Sequence, residues 1–180
     1  SIIPARAGSK RLKHKNVYPF NGIPLIEYTI NAALDSKYIS RKNLYINTDF
    51  DKVIDIANRR NIKVIKRPKH LAGDKVWTQP VINHTEDELG GLNDEDIIVI
   101  LQANSPQITT EKIDECIKML IDNKLHDVHT IDVNMINNGA IQVIKRKVRN
   151  IKGKVCYNGV VMTDWIDVHT IEDIKKIGEL

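Results

Sequence analysis

The chain has 180 residues, of which 42% are hydrophobic and 28% are charged, a composition typical of one folded domain with a sizeable core. No stretch approaches the roughly 18 apolar residues of a membrane-spanning helix, the opening residues lack the apolar core of a signal peptide, and two cysteines are too few for a disulfide framework. With a net charge of +4, the composition predicts a single-domain cytoplasmic protein and excludes a disordered chain.

Short apolar runs alternate with segments of helical periodicity along the whole chain. In chain order, the predicted elements are a strand over 1–4 that would begin before residue 1, a helix over 24–34, a strand over 43–47, a helix over 51–60, a strand over 62–65, a helix over 78–89, a strand over 97–101, a helix over 110–123, strands over 128–133, 140–144 and 155–161, and a helix that begins after Thr170. This alternation predicts an α/β fold with a Rossmann-like, mainly parallel sheet and helices on both faces.

The positive charge is concentrated in the loop after the first predicted strand. Five cations precede the first acidic residue, Glu27, so the rest of the chain carries 22 positive and 23 negative charges, or −1. They are Arg6, Lys10, Arg11, Lys13 and Lys15. In the same loop Gly8 allows close approach of the backbone to a ligand, and Ser9 offers a hydroxyl. A solvated basic loop is the alternative, but ligands of parallel sheets bind beyond the carboxyl ends of the strands, and a compact basic cluster there favours a compact anion such as a nucleoside triphosphate.

Several function classes are disfavoured by the pattern of this loop and of the chain around it. The loop has neither a Walker A sequence nor a dinucleotide fingerprint, which disfavours an ATPase or a dehydrogenase. The few aromatic residues are scattered, so no stacking platform for nucleic acid is predicted.

Five ordered segments of the chain resemble motifs of the acylneuraminate cytidylyltransferases, which are the CMP-sialic acid synthetases and their relatives for other nonulosonic acids. The opening signature is similar over 2–16 (IIPARAGSKRLKHKN) and 21–26 (NGIPLI). The later segments are 45–49 (YINTD), 67–74 (RPKHLAGD), 101–106 (LQANSP) and 165–173 (WIDVHTIED). The resemblance covers essentially the whole chain.

The resemblance implies a fold of the nucleotide-diphospho-sugar transferase type and a reaction between CTP and a nonulosonic acid. The anomeric hydroxyl of the acid would displace pyrophosphate from the α-phosphate, with Mg²⁺, or alternatively Mn²⁺, as cofactor. By their positions in the motifs, the implied catalytic residues are Arg6, Lys15 and Asp167. The implied nucleotide-binding residues are Ala5, Arg6, Gly8, Ser9, Lys15, Asn16, Arg67 and Gln102, and the implied substrate-binding residues are Gln102, Asn104 and Ser105.

The implied metal ligands are Asp167 and His169, and the second of these departs from the family. The family has an aspartate two positions after the first, so that alternate side chains of an extended segment face the metal. A neutral imidazole suits Zn²⁺, Mn²⁺ or Fe²⁺ better than Mg²⁺. His169 therefore has three interpretations: a different metal, a base for the sugar hydroxyl, or loss of activity.

Two further departures concern the sugar side of the predicted site. Gln107 stands where the family usually has an arginine, and the segment 138–166 is a shortened form of the family's dimerisation region within one domain over 1–180. The predicted partners are CTP, a nonulosonic acid and, by analogy, a second copy of the chain, without nucleic acid or membrane. Two alternatives stay open: a catalytically silent protein that binds CTP or a sugar nucleotide, and a nucleotidyltransferase for another sugar such as a 3-deoxy-octulosonate.

Overall fold

The structure, a computed structural model, describes residues 1–149 and 156–178. In chain order its strands and helices are β1 (Ile2–Pro4), β2 (Pro19–Phe20), β3 (Ile23–Pro24), α1 (Leu25–Asp35), β4 (Tyr45–Thr48), α2 (Asp51–Arg59), β5 (Lys63–Lys66), α3 (Thr78–Leu89), β6 (Ile97–Leu101), α4 (Thr110–Asp122), β7 (Asp127–Ile131), β8 (Asn137–Lys145), α5 (Arg146–Arg149), β9 (Asn158–Met162) and α6 (Ile171–Gly178). Within these residues no helix is both long and apolar enough to cross a membrane.

Seven strands form one sheet in the order β5-β4-β1-β6-β8-β7-β9. The pairs β5–β4, β4–β1, β1–β6 and β7–β9 are parallel, whereas β8 runs antiparallel to both of its neighbours. The predicted Rossmann-like, mainly parallel α/β sheet is therefore confirmed. The two short strands β2 and β3, which pair with each other, were not predicted.

The reversed direction of β8 follows from the short connection that precedes it. Asp132 turns the chain, because its Oδ1 accepts hydrogen bonds from the N–H groups of Asn134 (2.9 Å) and Ile136 (2.8 Å). A connection this short can only join antiparallel neighbours, since a parallel pair needs a crossover of a dozen or more residues. The strand predicted over 128–133 consequently ends at Ile131.

Most other differences from the predicted elements are small shifts of their ends. The strand predicted over 43–47 lies at Tyr45–Thr48, because residues 41–43 form a 3-10 turn closed by a capping box. The strand predicted over 155–161 is β9, and its predicted first residue lies outside the described residues. The predicted start of α6 is confirmed, since Thr170 N–H and Oγ1 both contact the Asp173 carboxylate.

The core explains why the central strands are apolar without interruption. Alternate residues of β1 and β6 enter two separate clusters, one on each face of the sheet. Ile3 packs with helices α1, α2 and α4 on one face, while Ile2 packs with Ile82 of α3 on the other. Both faces are thus covered by helices, as predicted. The carboxyl ends of β5, β4, β1 and β6 meet at one edge of this sheet, where their loops converge.

Candidate functional site

A cavity of about 250 Å³ opens at the carboxyl edge of the sheet. It is formed by the loop after β1, the residue that follows β5, the start of α3, the turn after β6, the start of β8 and the segment before α6. Its lining residues are Pro4, Arg6, Gly8, Ser9, Lys15, Asn16, Arg67, Val76, Trp77, Thr78, Val81, Gln102, Asn104, Asn138, Gly139, Asp167 and His169. Six distant segments of the sequence therefore contribute to one site.

The basic loop is held in place by hydrogen bonds to its own backbone. Asn16 is buried, and its Nδ2 donates to the carbonyl oxygen of Arg6 at 3.0 Å. The N–H of Ala7 donates to Asp49 Oδ1 at 2.8 Å, which fastens the loop to the residue after β4. The cationic side chains of the loop are thus presented from a fixed backbone.

Lys15 joins the basic loop to the segment before α6. Its Nζ donates to the carbonyl oxygen of Val168 at 2.8 Å. Burial lowers the pKa of the Lys15 ammonium, an effect that the nearby Asp167 carboxylate opposes. This contact brings a cation and a carboxylate, separated by about 150 residues of chain, to the same wall of the cavity.

Asp74 neutralises part of the charge of the loop. Its Oδ1 lies 2.5 Å from Arg6 Nη1, and its Oδ2 lies 2.9 Å from Lys10 Nζ. The hydrogen bonds from Lys10 and Arg6 lower the pKa of this carboxyl group. A second cavity of about 270 Å³ adjoins the first here and shares Arg6 with it.

Arg67 directly follows β5, and its side chain is held by a buried polar network. The residue is only 6% exposed; its Nε donates to Asn47 Oδ1 at 2.8 Å, and its Nη2 donates to Asn47 O at 3.0 Å. Asn47 Nδ2 in turn donates to Thr85 Oγ1 on α3 at 2.9 Å. Burial lowers the pKa of Arg67 to about 10, against the opposing effect of Asp49, so the guanidinium stays charged at neutral pH. The network fixes a cation in the wall of the cavity.

Gln102 follows the buried strand β6, and its backbone is paired on both sides. Its N–H donates to Ala140 O at 3.0 Å, and its carbonyl accepts from Thr29 Oγ1 at 2.8 Å. Its side chain lines the cavity, where Nε2 lies 3.9 Å from the position that a Cβ on Gly139 would occupy. The amide therefore faces the ligand space with its own backbone satisfied.

Asp167, His169 and Asn104 form a polar group in the segments before α6 and after β6. Asp167 Oδ2 lies 2.9 Å from His169 Nε2, and Asn104 Nδ2 donates to both Asp167 Oδ1 and the carbonyl oxygen of Val168. Burial raises the pKa of Asp167, against the opposite effects of His169 and Lys15. The N–H of His169 donates to the Asp173 carboxylate at 2.9 Å, which ties this segment to the start of α6.

Asp167 and His169 offer a carboxylate and an imidazole, both of which can bind a divalent cation, but here they contact each other directly. The 2.9 Å between Asp167 Oδ2 and His169 Nε2 is the length of a hydrogen bond or ion pair, so an ion bound by both would have to replace this contact. Among residues 1–149 and 156–178 no group of three or more His, Cys, Asp or Glu side chains could hold a metal ion. The remaining ligands of such an ion would have to come from substrate oxygens and water.

The structure brings most of the predicted site residues together and leaves two outside the cavity. Ala5 is fully buried, and its N–H and carbonyl groups are used by Asn47 O and Thr48 Oγ1. Ser105 is 1% exposed, and its Oγ has no hydrogen-bond partner among the described residues. Neither residue lines the cavity, because each is buried in the protein interior. All other residues that the resemblance implied for the site line it, whereas of the five predicted cations of the basic loop only Arg6 and Lys15 do.

Some residues of the site were not predicted from the sequence. Asn47 and Asp49 stand in the segment 45–49, and Asp74 ends the segment 67–74, so their positions inside quoted motifs could have indicated them. Trp77 and Asn138 carried no such signal. They line the cavity only because α3 and β8 both begin at the carboxyl edge of the sheet.

Sheet order and site together place the chain in the class of Rossmann-like α/β proteins with a basic cavity at the carboxyl edge of the sheet. A family model described as Cytidylyltransferase matches residues 1–150, and the chain belongs to this family. The resemblance found in the motifs is thereby confirmed.

Individual relatives agree with this assignment over part of their length. N-acylneuraminate cytidylyltransferase of Streptococcus agalactiae serotype V is 32% identical over 130 residues, which cover 72% of this chain and 30% of that protein. 3-Deoxy-manno-octulosonate cytidylyltransferase of Francisella tularensis subsp. novicida is 33% identical over 131 residues, which cover 72% of this chain and 49% of that protein. The matched part thus spans 30% to 49% of the length of these relatives.

A solved structure shows the same fold over nearly the whole chain. CMP:2-keto-3-deoxy-manno-octonic acid synthetase, complexed with CTP, superposes with a TM-score of 0.76 and covers 99% of this chain and 98% of that chain. The two sequences are 16% identical, so the likeness concerns the fold alone.

Proposed function

We propose that this protein is a CTP-dependent cytidylyltransferase that activates a nonulosonic, sialic-acid-like sugar acid as its CMP derivative. The observation that carries the proposal is the convergence of Arg6, Lys15, Arg67, Gln102 and Asp167 on one cavity. Three cations and one amide facing a carboxylate suit a triphosphate at one end and a polyhydroxylated acid at the other.

The reaction would need little covalent chemistry from the protein. The anomeric oxygen of the sugar acid forms a bond to the α-phosphorus, the bond to the bridging oxygen of pyrophosphate breaks, and the hydroxyl proton passes to water. Phosphoryl-type transfer depends chiefly on positioning and on neutralisation of charge. Arg6 and Lys15 would neutralise the triphosphate, because both present cations from the fixed basic loop.

Arg67 and Gln102 would orient the two substrates. The Arg67 guanidinium is held in one orientation by its two hydrogen bonds to Asn47, so it offers a fixed donor to the nucleotide. The Gln102 amide can both donate and accept, which suits the hydroxyls of the ribose or of the sugar acid. Asn104 would hold the Asp167 carboxylate in its orientation through the hydrogen bond between them.

Asp167 and His169 would hold Mg²⁺ or Mn²⁺ together with the triphosphate. The bound ion would supply positive charge to the phosphate oxygens. The imidazole favours Mn²⁺ more than a second carboxylate would, so activity with Mn²⁺ is expected to exceed activity with Mg²⁺.

The test is release of pyrophosphate from CTP, with ATP as the control nucleotide, in the presence of either ion. The acids to compare are a sialic acid, a pseudaminic acid and 3-deoxy-manno-octulosonate. Lys15→Ala is expected to abolish release, while Lys13→Ala is the matched control, because Lys13 is an exposed cation of the same loop that does not line the cavity.

The outcomes separate three functions. Release with CTP and a nonulosonic acid would support the proposal, and release with the octulosonate alone would assign the other sugar. Binding of CTP without release for any acid would identify a silent binding protein and make His169 the mark of lost activity. Wild-type rates in Lys15→Ala would refute the role given to that residue.

A further inference from the structure

Trp77 is the most exposed large hydrophobic residue of the described chain, and it lines the cavity. Its exposed fraction is 83%, although the side chain stands at the start of α3 beside the ligand space. Tryptophan has a large apolar surface that gains from burial. A bound ligand with a flat apolar face would provide that burial.

The backbone that carries Trp77 is fixed next to the basic loop. Asp74 is paired with both Arg6 and Lys10, and the N–H of Val76 donates to Gly73 O at 3.2 Å, which closes a turn. Helix α3 begins with the next residue. The position of the indole along the cavity is thus set from both sides.

Trp77 and the first turn of α3 line the cavity on the side of the Arg67 network. Trp77 is the residue before the helix, and Val81 and Thr85 lie on one side of the helix at an interval of four residues. Val81 lines the cavity, and Thr85 accepts a hydrogen bond from Asn47, the residue that holds Arg67. Trp77 therefore belongs to the wall that contains Arg67.

The Asn104 side of the cavity holds Lys15, one of the two cations assigned to the phosphates, and the groups assigned to the sugar acid. Asp167 and Asn104 belong to the segments before α6 and after β6, and Lys15 is bonded to the first of these segments. In the sheet, β5 and β6 are separated by β4 and β1, so the Arg67 side and the Asn104 side lie apart. Arg6, the other cation assigned to the phosphates, follows β1 and lies between these two sides. With the phosphates held at Arg6 and Lys15, the base is the part of the nucleotide that would extend toward Arg67 and Trp77.

We propose that Trp77 binds the nucleotide by stacking its indole on the base, a role that adds affinity for the nucleoside and leaves the phosphates to the basic loop. This inference rests on the proposed function. Stacking accepts every base, because each has a flat π-face. Trp77 would therefore strengthen binding of CTP and ATP alike, and the choice of cytosine would come from the polar groups of the wall.

The experiment compares two ligands that share their charge but not their base. Binding of CTP and of inorganic triphosphate is measured by calorimetry for the wild type, Trp77→Ala and Trp77→Phe. Trp77→Ala is expected to weaken CTP about 5- to 150-fold, the range for loss of one stacked base, and to leave inorganic triphosphate unchanged. Trp77→Phe is expected to recover most of the lost affinity, because a ring is restored.

A spectroscopic readout tests the contact itself. The chain has two tryptophans, so Trp165→Phe leaves Trp77 as the single tryptophan, which is excited selectively at the red edge of its absorption. Its emission is expected to be quenched by CTP and unchanged by inorganic triphosphate. Thermal unfolding of Trp77→Ala serves as the folding control, and an unchanged midpoint is expected because the side chain is exposed.

Each outcome decides between the inference and its basis. Equal CTP affinity in the wild type and Trp77→Ala would overturn the stacking role while leaving the proposed function intact. If Trp77→Ala lost the same affinity for inorganic triphosphate as for CTP, or lost affinity only for the sugar acid, the stacking role would also be overturned. Failure of the wild type to bind CTP at all would instead refute the proposed function.

Discussion

Replacing Asn47 with alanine is expected to lower both the stability of the protein and its affinity for CTP. The side chain of Asn47 supplies the acceptor for Arg67 Nε at 2.8 Å and the donor to Thr85 Oγ1 at 2.9 Å. Alanine removes both, while Arg67 Nη2 keeps its bond to the backbone carbonyl. The Nε donor of a guanidinium that is only 6% exposed then has no acceptor.

The expected cost can be worked from these contacts. A hydrogen bond to a charged group contributes about 1.5–3 kcal/mol, and a neutral one contributes about 1 kcal/mol. Thr85 Oγ1 retains its hydrogen bond to Val81 O, so the lost Asn47–Thr85 bond contributes the smaller share of the decrease in the free energy of unfolding. The sum is about 3 kcal/mol, which corresponds to a fall of about 6–12 °C in the midpoint of thermal unfolding for a chain of this size.

The assay is urea unfolding followed by circular dichroism, together with calorimetry of CTP binding. Asn58→Ala is the control, because Asn58 is an exposed asparagine of α2, and its replacement is expected to stay within about 0.5 kcal/mol. A loss in Asn47→Ala below about 1 kcal/mol would refute the role of the network. An unchanged Kd for CTP would refute the view that Asn47 positions Arg67 for the nucleotide.

Three further predictions concern other parts of the chain. Because burial raises the pKa of Asp167, its ionised form costs folding free energy. Asp167→Asn is therefore expected to unfold at a higher temperature than the wild type at pH 7, and this difference in unfolding temperature is expected to shrink as the pH falls through the raised pKa. Scanning calorimetry in which the difference grows on acidification would contradict this. Gly159→Ala places a Cβ 2.6 Å from Leu125 Cδ1 and 2.9 Å from Met119 Sδ. Urea unfolding is therefore expected to show a free energy of unfolding lower by about 1–3 kcal/mol, with the Kd for CTP unchanged. Wild-type stability would mean that the two neighbouring side chains move aside without cost. Asp74→Asn removes a competitor of the phosphates for two cations of the basic loop, so CTP is expected to bind more tightly, and weaker binding in the same calorimetric assay would show that Asp74 organises the loop instead.

The predicted elements depended on local patterns that survive in the folded protein. The run at Ile97–Leu101 predicted a strand covered on both faces, and its residues do divide between the two core clusters. The cap at Thr170 predicted the start of α6 because the capping contacts form within four residues. Contacts over such short separations depend little on the rest of the chain.

The predicted site depended on the resemblance of motifs, and it was most accurate where a motif follows a strand. Arg67 and Gln102 line the cavity because the residue after a parallel strand lies at the ligand edge of the sheet. Ala5 and Ser105 are neighbours of lining residues in sequence, but their side chains lie in the core. A motif indicates which segment lies at the site, whereas burial in the folded protein decides which side chains of that segment reach the cavity.

The sequence by itself determined the alternation of strands and helices, the two covered faces of the sheet and the concentration of charge in one loop. These properties follow from spacing and composition, which act between near neighbours. Only the tertiary structure decided that β8 runs antiparallel, that Asn47 holds Arg67 and that Trp77 stands at the cavity. Each of these results from contacts between residues distant in the chain, and such contacts exist only after the sheet has brought its loops to a common edge.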